Sequence, residues 1–333
     1  MHFIIHGAGA VGCYVGGRLA AGGRRVTLVG RPRVIDDIRQ QGLLVSDLDG
    51  FRAHVRPQQL TLASSLAGVH LTPDSVLLLC VKGGATESAA LQIAACCPSG
   101  TLVLSLQNGV DNVARICAIA PRMKTLAGMV SYNVVRPAPC HAHRATSGKI
   151  YLARNTVTRE MGLLLNACGL ATELADDMQP VQWGKLLLNL NNPVNALSDL
   201  PLRAQLMDRD YRRVLADLQE EALAVMQAAG IRPARIATVA PQWLPGLLRL
   251  PNWLFRLLAA RILRIDAQAR SSMWDDLQQG RITEINDLCG AVVRLAAQTG
   301  TSAPRNAAMC KLVSAHHRGQ RLSGPELRSA ATQ

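Results

Sequence analysis

Apolar runs and helix-like stretches alternate through the first half of the chain. Phe3-Ile4-Ile5, Arg25 to Val29, "SVLLLCVK" (Ser75 to Lys82) and "TLVLSLQNG" (Thr101 to Gly109) read as strands, and Ala85 to Cys97 and Val110 to Ala120 as helices. Continuous apolar strands separated by helices predict a parallel sheet covered on both faces. After Thr125 the rhythm shortens to "TLAGMVSYNVV" and "KIYLAR", pieces expected to extend or close that sheet. From Met178 onward "VQWGKLLLNLNN", "YRRVLADLQEEALAVMQAAG" and "EINDLCGAVVRLAAQTG" carry apolar positions at three-and-four spacing, and two of them close with a helix-ending Gly. The pattern therefore predicts an α/β domain over residues 1–174 and an all-α C-terminal domain over residues 175–333. The change falls within "LATELADDM" (Leu170 to Met178), and the active site is expected in the cleft between the two.

The turn after the first strand sharpens the fold. Gly7, Gly9 and Gly12 fit G-x-G-x-x-G between an apolar strand and a helix-like stretch. In such a turn the first glycine allows the tight bend, the second lets the backbone approach a pyrophosphate, and the third lets helix and strand pack closely. The pyrophosphate would rest on the helix N-terminus, where free N–H groups favour an anion. A Rossmann-type dinucleotide-binding domain follows, with Gly7, Gly9, Ala10, Val11 and Gly12 as cofactor-binding positions. An NAD-preferring site places an Asp or Glu about 20 residues further on, whereas an NADP site places Arg near the 2′-phosphate. This chain has "GRPR" there, so Arg31, with Arg33 beside it, points to NADPH/NADP+.

Composition narrows the partners. The chain has 333 residues, long enough for two cores, and carries a formal net charge of +13. Lys and Arg are scattered and aromatic residues make up only 3%, without a zinc-finger or RNP-like pattern, so nucleic acid is not the expected partner. The charge suits small anions. Nine cysteines without C-x-x-C spacing, and no signal-peptide pattern, argue for reduced thiols and a cytoplasmic protein. Cys140, His141 and His143 lack the ligand set and spacing of a structural zinc site, so no metal is expected. The apolar segment from Trp243 to Ile265 is interrupted by Arg249, Arg256, Arg261, Arg264, Pro245 and Pro251, which excludes a transmembrane helix. From Trp253 to Ile265 it reads as amphipathic and leaves core packing, a substrate lid, a homodimer face and membrane-surface contact open.

Candidate chemistry lies in the helical half. Lys185 sits inside an otherwise apolar helix, with Asn189 and Asn192 at i+4 and i+7 on the same face. Pro193 disfavours helical geometry at Asn192, so the helix is expected to end or kink there. Reduction of a ketone needs a hydride donor and a proton donor, and a Lys whose pKa is lowered by burial or by neighbouring cations suits the second role. Glu284 is expected to open the helix after "QQGRIT", either as a dipole-stabilised capping acid or as a partner for a substrate hydroxyl. Ser272 in "ARSSMWDDL" reads as a carboxylate ligand or a turn cap.

Taken in order, "GAGAVG", Val81-Lys82, "QNG" at Gln107 to Gly109, "WGKLLLN" at Trp183 to Asn189, "SSMWDDL" at Ser271 to Leu277 and "RITEIN" at Arg281 to Asn286 resemble the ketopantoate reductase family across nearly the whole chain. The resemblance implies NADPH-dependent reduction of 2-dehydropantoate, a small 2-oxo acid, to (R)-pantoate on the way to pantothenate and coenzyme A. It implies that Lys185 is the catalytic lysine and that Glu284 engages the substrate hydroxyl. Asn108 would lie beside nicotinamide and substrate, Lys82 near the cofactor, Ser272 at the substrate carboxylate, and Asn189 and Asn192 among the substrate contacts. Two features depart from the family pattern. Asn189 and the Asn192-Pro193 pair are three apart where many members space the asparagines by four, and Gly83-Gly84 after Lys82 is unusually bare. A relative reducing another 2-oxo acid and a non-catalytic NADP(H) sensor are the alternatives.

Overall fold

The first strand alternates its side chains between two cores, and that alternation organises the N-terminal half. In a computed structural model that describes residues 1–262, 269–317 and 319–331, the chain divides into two units, Met1–Met178 and Gln179–Gln333. The strands of the first unit are β1 (His2–His6), β2 (Arg25–Val29), β3 (Leu43–Asp47), β4 (Arg52–Val55), β5 (Thr61–Ala63), β6 (Ser75–Leu79), β7 (Leu102–Ser105), β8 (Lys124–Val130), β9 (Val134–Val135), β10 (His141–Arg144), β11 (Ile150–Ala153) and β12 (Thr172–Ala175). Its helices are α1 (Ala10–Ala21), α2 (Pro32–Gln41), α3 (Thr86–Cys96), α4 (Asn112–Ile119) and α5 (Thr156–Ala167).

Eight strands form one sheet in the order β12-β11-β8-β7-β6-β1-β2-β5. From β5 to β8 every pairing is parallel; β11 then runs antiparallel to β8, with β12 parallel beside it. The chain steps outward through β2 and β5, returns to β6, and continues the other way. The order therefore reverses between β1 and β6, where doubly wound sheets bind ligands outside the carboxyl ends of their strands. Phe3, Ile5 and Leu78 pack with Tyr14, Val15 and Leu19 of α1 on one face. Ile4, Leu77 and Leu79 pack with Ala89 and Ile93 of α3 and Ile116 of α4 on the other. This is the two-sided burial expected of a parallel sheet.

A second, four-stranded sheet, β4-β3-β10-β9, covers the back of α1. Leu28 of β2 lies where a Cβ on Gly16 would be, at 2.6 Å, and Val45 of β3 lies where a Cβ on Gly17 would be, at 2.5 Å. Two consecutive glycines thus let one helix fit between two sheets. Arg18, buried on the same helix, pairs with Asp47 at 2.8 Å, donates to the Cys168 carbonyl at 3.0 Å and stacks on Phe51.

The strand β12 ends at Ala175 and pairs with β11, so the first unit extends past residue 174 to Met178. Among its described residues the second unit is helical: α6 (Gln179–Asn189), α7 (Asn191–Ser198), α8 (Leu202–Met207), α9 (Arg209–Ala228), α10 (Leu244–Arg249), α11 (Asn252–Ile262), α12 (Ser272–Gln278), α13 (Cys289–Gln298), α14 (Pro304–Ser314) and α15 (Gly324–Ala330). Asp208 caps the central α9, and Val214, Leu215, Leu218, Ala222, Val225 and Met226 bury one face of it. Glu221 on α9 accepts from the backbone N–H groups of Arg305 and Asn306, satisfying the first turn of α14. Part of the amphipathic stretch from Trp253 to Ile265 lies in α11, and its end lies outside the described residues. No helix among the described residues is long and apolar enough to cross a membrane.

Candidate active site

The three glycines of the turn answer to different constraints. Gly7 has φ +116°, and a Cβ there would stand 2.7 Å from the Cys80 carbonyl carbon and the Val81 nitrogen. At Gly12 a Cβ would meet the Gly7 carbonyl oxygen at 2.1 Å. The protein itself requires both. A Cβ on Gly9 would meet nothing within 4 Å, and Gly9 is the N-cap of α1. That helix starts with no side-chain cap and no acidic residue in its first turn. The backbone N–H groups of Ala10, Val11 and Gly12 therefore begin the helix without intrahelical acceptors, beside open space at Gly9. This arrangement fits a bound pyrophosphate.

The neighbouring loop is drawn against this turn. A Cβ on Gly30 would lie 2.5 Å from that of Ala8, so the chain leaving β2 touches the glycine loop. Arg31 follows as the N-cap of α2 without a side-chain cap bond, and both Arg31 and Arg33 are exposed. His6, the last residue of β1, is buried with its Nδ1 lacking a hydrogen-bond partner. Burial lowers its imidazole to about 4, so it is neutral at physiological pH beneath the turn. Nothing in the apolar strand pattern singled out this histidine.

Lys82 and Asn108 leave the sheet at the same edge, because β1, β6 and β7 are parallel neighbours. Lys82 is exposed and precedes a 3-10 turn at Gly83–Ala85; Asn108 is half-buried, and its carbonyl accepts from Asn112 Nδ2 at 2.7 Å. The buried amide of Gln107 lies beneath these loops and bonds to the Val81 carbonyl and Thr86.

In the second unit Lys185 lies on α6 among the buried residues Val181, Trp183, Leu186 and Leu187. Gly184 beside it would place a Cβ 2.3 Å from the Ala234 carbonyl oxygen, so its lack of a side chain lets that segment close on the helix. Lys185 retains some accessible surface, and burial lowers its ammonium from the usual lysine range to about 8. The cause is desolvation, not the neighbouring cations offered as the other route. Asn189, one turn on, is buried.

The break in this helix differs from the expectation. It falls at Leu190, not at Asn192, which is helical as the second residue of α7. The influence of Pro193 on the residue before it is overridden by its influence four residues back. Its ring excludes the Asn189 carbonyl, and it has no N–H to offer that oxygen. Within the first turn of α7 the same missing N–H costs nothing, because that group would have had no partner inside the helix. Gln219 of α9 donates to the Leu187 carbonyl at 2.9 Å beside the break. Lys185 and Asn189 thus share α6 while Asn192 belongs to α7.

Asn195, fully buried on α7, accepts from the Ser271 backbone N–H at 2.8 Å and donates to the Leu200 carbonyl at 2.9 Å. Ser271 Oγ donates to the Asn192 carbonyl and accepts from Trp274 N–H, both at 3.2 Å. Ser271 is therefore the cap of α12, and Ser272, the first helical residue, is exposed. The capping role open to Ser272 in the sequence belongs to its neighbour. Ser271 is held in that place by its bonds to Asn195 and to the Asn192 carbonyl. Glu284 also departs from expectation. It precedes a 3-10 turn at Ile285–Asp287, its side chain makes no cap bond, and α13 begins only at Cys289. Its carbonyl accepts from Asp287 and Leu288 N–H, and its side chain is half-buried.

The histidines of β10 have a local explanation. His141 Nε2 and His143 Nδ1 each lie 2.8 Å from Ser46 Oγ, and no group of three or more potential ligands is set to hold a metal among the described residues.

Comparison with known proteins adds a family to this geometry. Residues 3–156 match the model for ketopantoate reductase PanE/ApbA, and residues 177–317 match the model for the C-terminal region of the same family. A 2-dehydropantoate 2-reductase of Halobacterium salinarum is 29% identical over 311 residues, covering 91% of this chain and 95% of the relative. The crystal structure of a PanE/ApbA family ketopantoate reductase from Ralstonia eutropha JMP134 superposes with a TM-score of 0.78 at 28% identity, covering 94% of this chain and 97% of that one. A ternary structure of D-mandelate dehydrogenase with NADH and anilino(oxo)acetate shares the fold, with a TM-score of 0.79 at 20% identity over 95% of this chain and 98% of that one.

Proposed function

The chain belongs to the ketopantoate reductase PanE/ApbA family, and from that premise we propose that it reduces 2-dehydropantoate to (R)-pantoate with NADPH, a step toward pantothenate and coenzyme A. The observation that carries this reading is Lys185, an ammonium on α6 brought to about 8 by burial among Val181, Trp183, Leu186 and Leu187. A proton donor works best with a pKa near the operating pH.

When bound, reduced nicotinamide supplies the hydride that adds to the ketone carbon. Lys185 Nζ gives the proton to the carbonyl oxygen, so the product is an alcohol and the lysine is left neutral. Glu284 accepts from the substrate hydroxyl, Ser272 donates to the carboxylate, and Asn108, Asn189 and Asn192 orient the substrate. The N–H groups of the Gly7–Gly12 turn, with Ala10 and Val11, hold the pyrophosphate. Arg31 pairs with the 2′-phosphate, which makes NADPH the preferred cofactor, and Lys82 lies toward it. The exposure of Arg31 and the absence of an acid at that turn support the choice of NADPH.

The test is loss of NADPH absorbance with purified protein and a panel of 2-oxo acids including 2-dehydropantoate, with NADH in parallel. Fast, saturable turnover of 2-dehydropantoate with NADPH is the expected result. Efficient turnover of a different acid instead would keep the chemistry and replace the substrate, an outcome that the three-residue asparagine spacing permits. Dinucleotide binding without turnover of any acid would leave the sensor reading in its place.

A further inference from the structure

A chain of buried polar side chains runs beneath the two loops that carry Lys82 and Asn108. Ser105 Oγ donates to Gln107 Oε1 at 3.0 Å, and Gln107 Nε2 donates to the Val81 carbonyl at 3.1 Å and to Thr86 Oγ1 at 2.8 Å. Thr86 Oγ1 donates to Asn112 Oδ1 at 2.9 Å, and Asn112 Nδ2 donates to the Asn108 carbonyl at 2.7 Å. Thr86 is 0% exposed, Asn112 and Ser105 are 2% and Gln107 is 5%, so water is excluded from the bonds among these side chains, while the two that reach the Val81 and Asn108 carbonyls are part-buried. The directions are mutually enforced. With one lone pair of Thr86 taken by Gln107, its single proton goes to Asn112 Oδ1, which turns the Asn112 amide so that Nδ2 faces Asn108.

We infer that Thr86 is a positioning residue, the hydroxyl through which the loop after β6 and the loop after β7 are held in register with one another. It touches neither loop's candidate side chain. It receives from the Gln107 amide that binds Val81, next to Lys82, and it orients the Asn112 amide that binds Asn108. Burial of the four side chains makes an alternative partner for any of them costly, so the two loops share one geometry rather than two independent ones. The kinetic consequence rests on the reductase reading above; the geometric one does not.

The test compares Thr86→Val, which keeps the shape and removes the hydroxyl, with Thr86→Ser, which restores it. Two readouts are taken: steady-state kinetics with NADPH and the 2-oxo acid, and amide hydrogen exchange over residues 80–85 and 106–112. In Thr86→Val, kcat is expected to fall about 10- to 100-fold, as for a small misplacement of a reacting group. The KM for NADPH should change less than kcat, since the N–H groups proposed to hold the pyrophosphate belong to the Gly7–Gly12 turn. Exchange should quicken in both loops together, and Thr86→Ser should restore rate and protection.

A Thr86→Val enzyme with wild-type kcat and wild-type exchange overturns the inference. So does a Thr86→Ser enzyme as impaired as the valine variant, because the hydroxyl would then not be the agent. If wild-type protein turns over no acid, exchange alone decides. Joint loosening reversed by serine upholds the positioning role while the reductase reading fails, and unchanged exchange rejects the role. Should Thr86→Val not fold, Asn112→Leu removes the donor to Asn108 from the other end. It is then expected to loosen residues 106–112, and unchanged exchange there overturns the inference.

Discussion

At Lys185, the proposed proton donor, burial of the ammonium is a cost to the fold. In the unfolded chain its ammonium titrates near the ordinary value of about 10.4, whereas in the folded protein burial brings it to about 8. Below pH 8 both states are protonated, and the folded state bears the full cost of burying the charge. As pH rises from about 8 toward 10.4, the folded protein releases its proton first and that cost is relieved. A general acid behaves oppositely, so kcat/KM should decline as pH rises through about 8, a limb that a rate profile would reveal. Lys185→Met should remove about 100- to 10,000-fold of turnover and leave dinucleotide affinity intact. Near-normal turnover in that variant would take Lys185 out of the chemistry. Arg31→Ala should weaken NADPH binding about 10- to 100-fold, the worth of a charge-assisted bond to phosphate, and leave NADH nearly unchanged. An equal loss for both cofactors in direct titration would reject a 2′-phosphate contact.

At the scale of an element, the glycine turn separates what the protein needs from what a ligand needs. Gly9→Ala adds a Cβ into open space at φ −84°, so Tm should stay near the wild-type value while NADPH affinity drops severely. Gly12→Ala drives a Cβ to within 2.1 Å of a backbone oxygen, so the same calorimetry and titration should show both stability and binding lost. Equal effects from the two changes would contradict the pyrophosphate assignment. The strand and helix alternation of this half was legible because each element buries a continuous apolar surface, and G-x-G-x-x-G was legible because its spacing is set by backbone geometry. The residues that support the site were not. Thr86, Asn112 and Asn195 act through partners distant in sequence or on the next element, and a polar residue at a helix start or on a short helix carries no periodic signal of its partner. The helix break at Leu190 was visible as a proline effect but misplaced, since the steric reach of Pro193 extends a full turn upstream.

On the scale of the whole molecule, the second sheet of the first unit is the part that sequence patterning did not deliver. Its strands β4, β9 and β10 have only 4, 2 and 4 residues, too few for a clear alternation. Its place behind α1 depends on pairs far apart in the chain, such as Arg18 with Asp47, which Arg144 also approaches at 3.3 Å. Desolvation opposes the Asp47 carboxylate, yet bonds from Phe51 N–H and Arg144 hold it below the usual range. Its contribution to stability should be complete above about pH 4 and be lost as pH falls below that toward its folded value. Asp47→Asn should lower unfolding stability by about 3 kcal/mol at neutral pH by leaving a buried guanidinium uncompensated, a shift that urea denaturation would measure. The glycine pair that fits α1 between two sheets has an evolutionary consequence. Helix α1, packed against Leu28 at Gly16 and against Val45 at Gly17, is closed to gradual substitution at that pair. The side chains of Arg31 and Arg33 beyond β2 are exposed, and Arg31 makes no side-chain cap bond. If α1 holds the pyrophosphate and Arg31 the 2′-phosphate as proposed, descendants of this chain could exchange one nicotinamide dinucleotide for the other by rewriting a few surface codons, while the helix that meets the part common to both stays fixed.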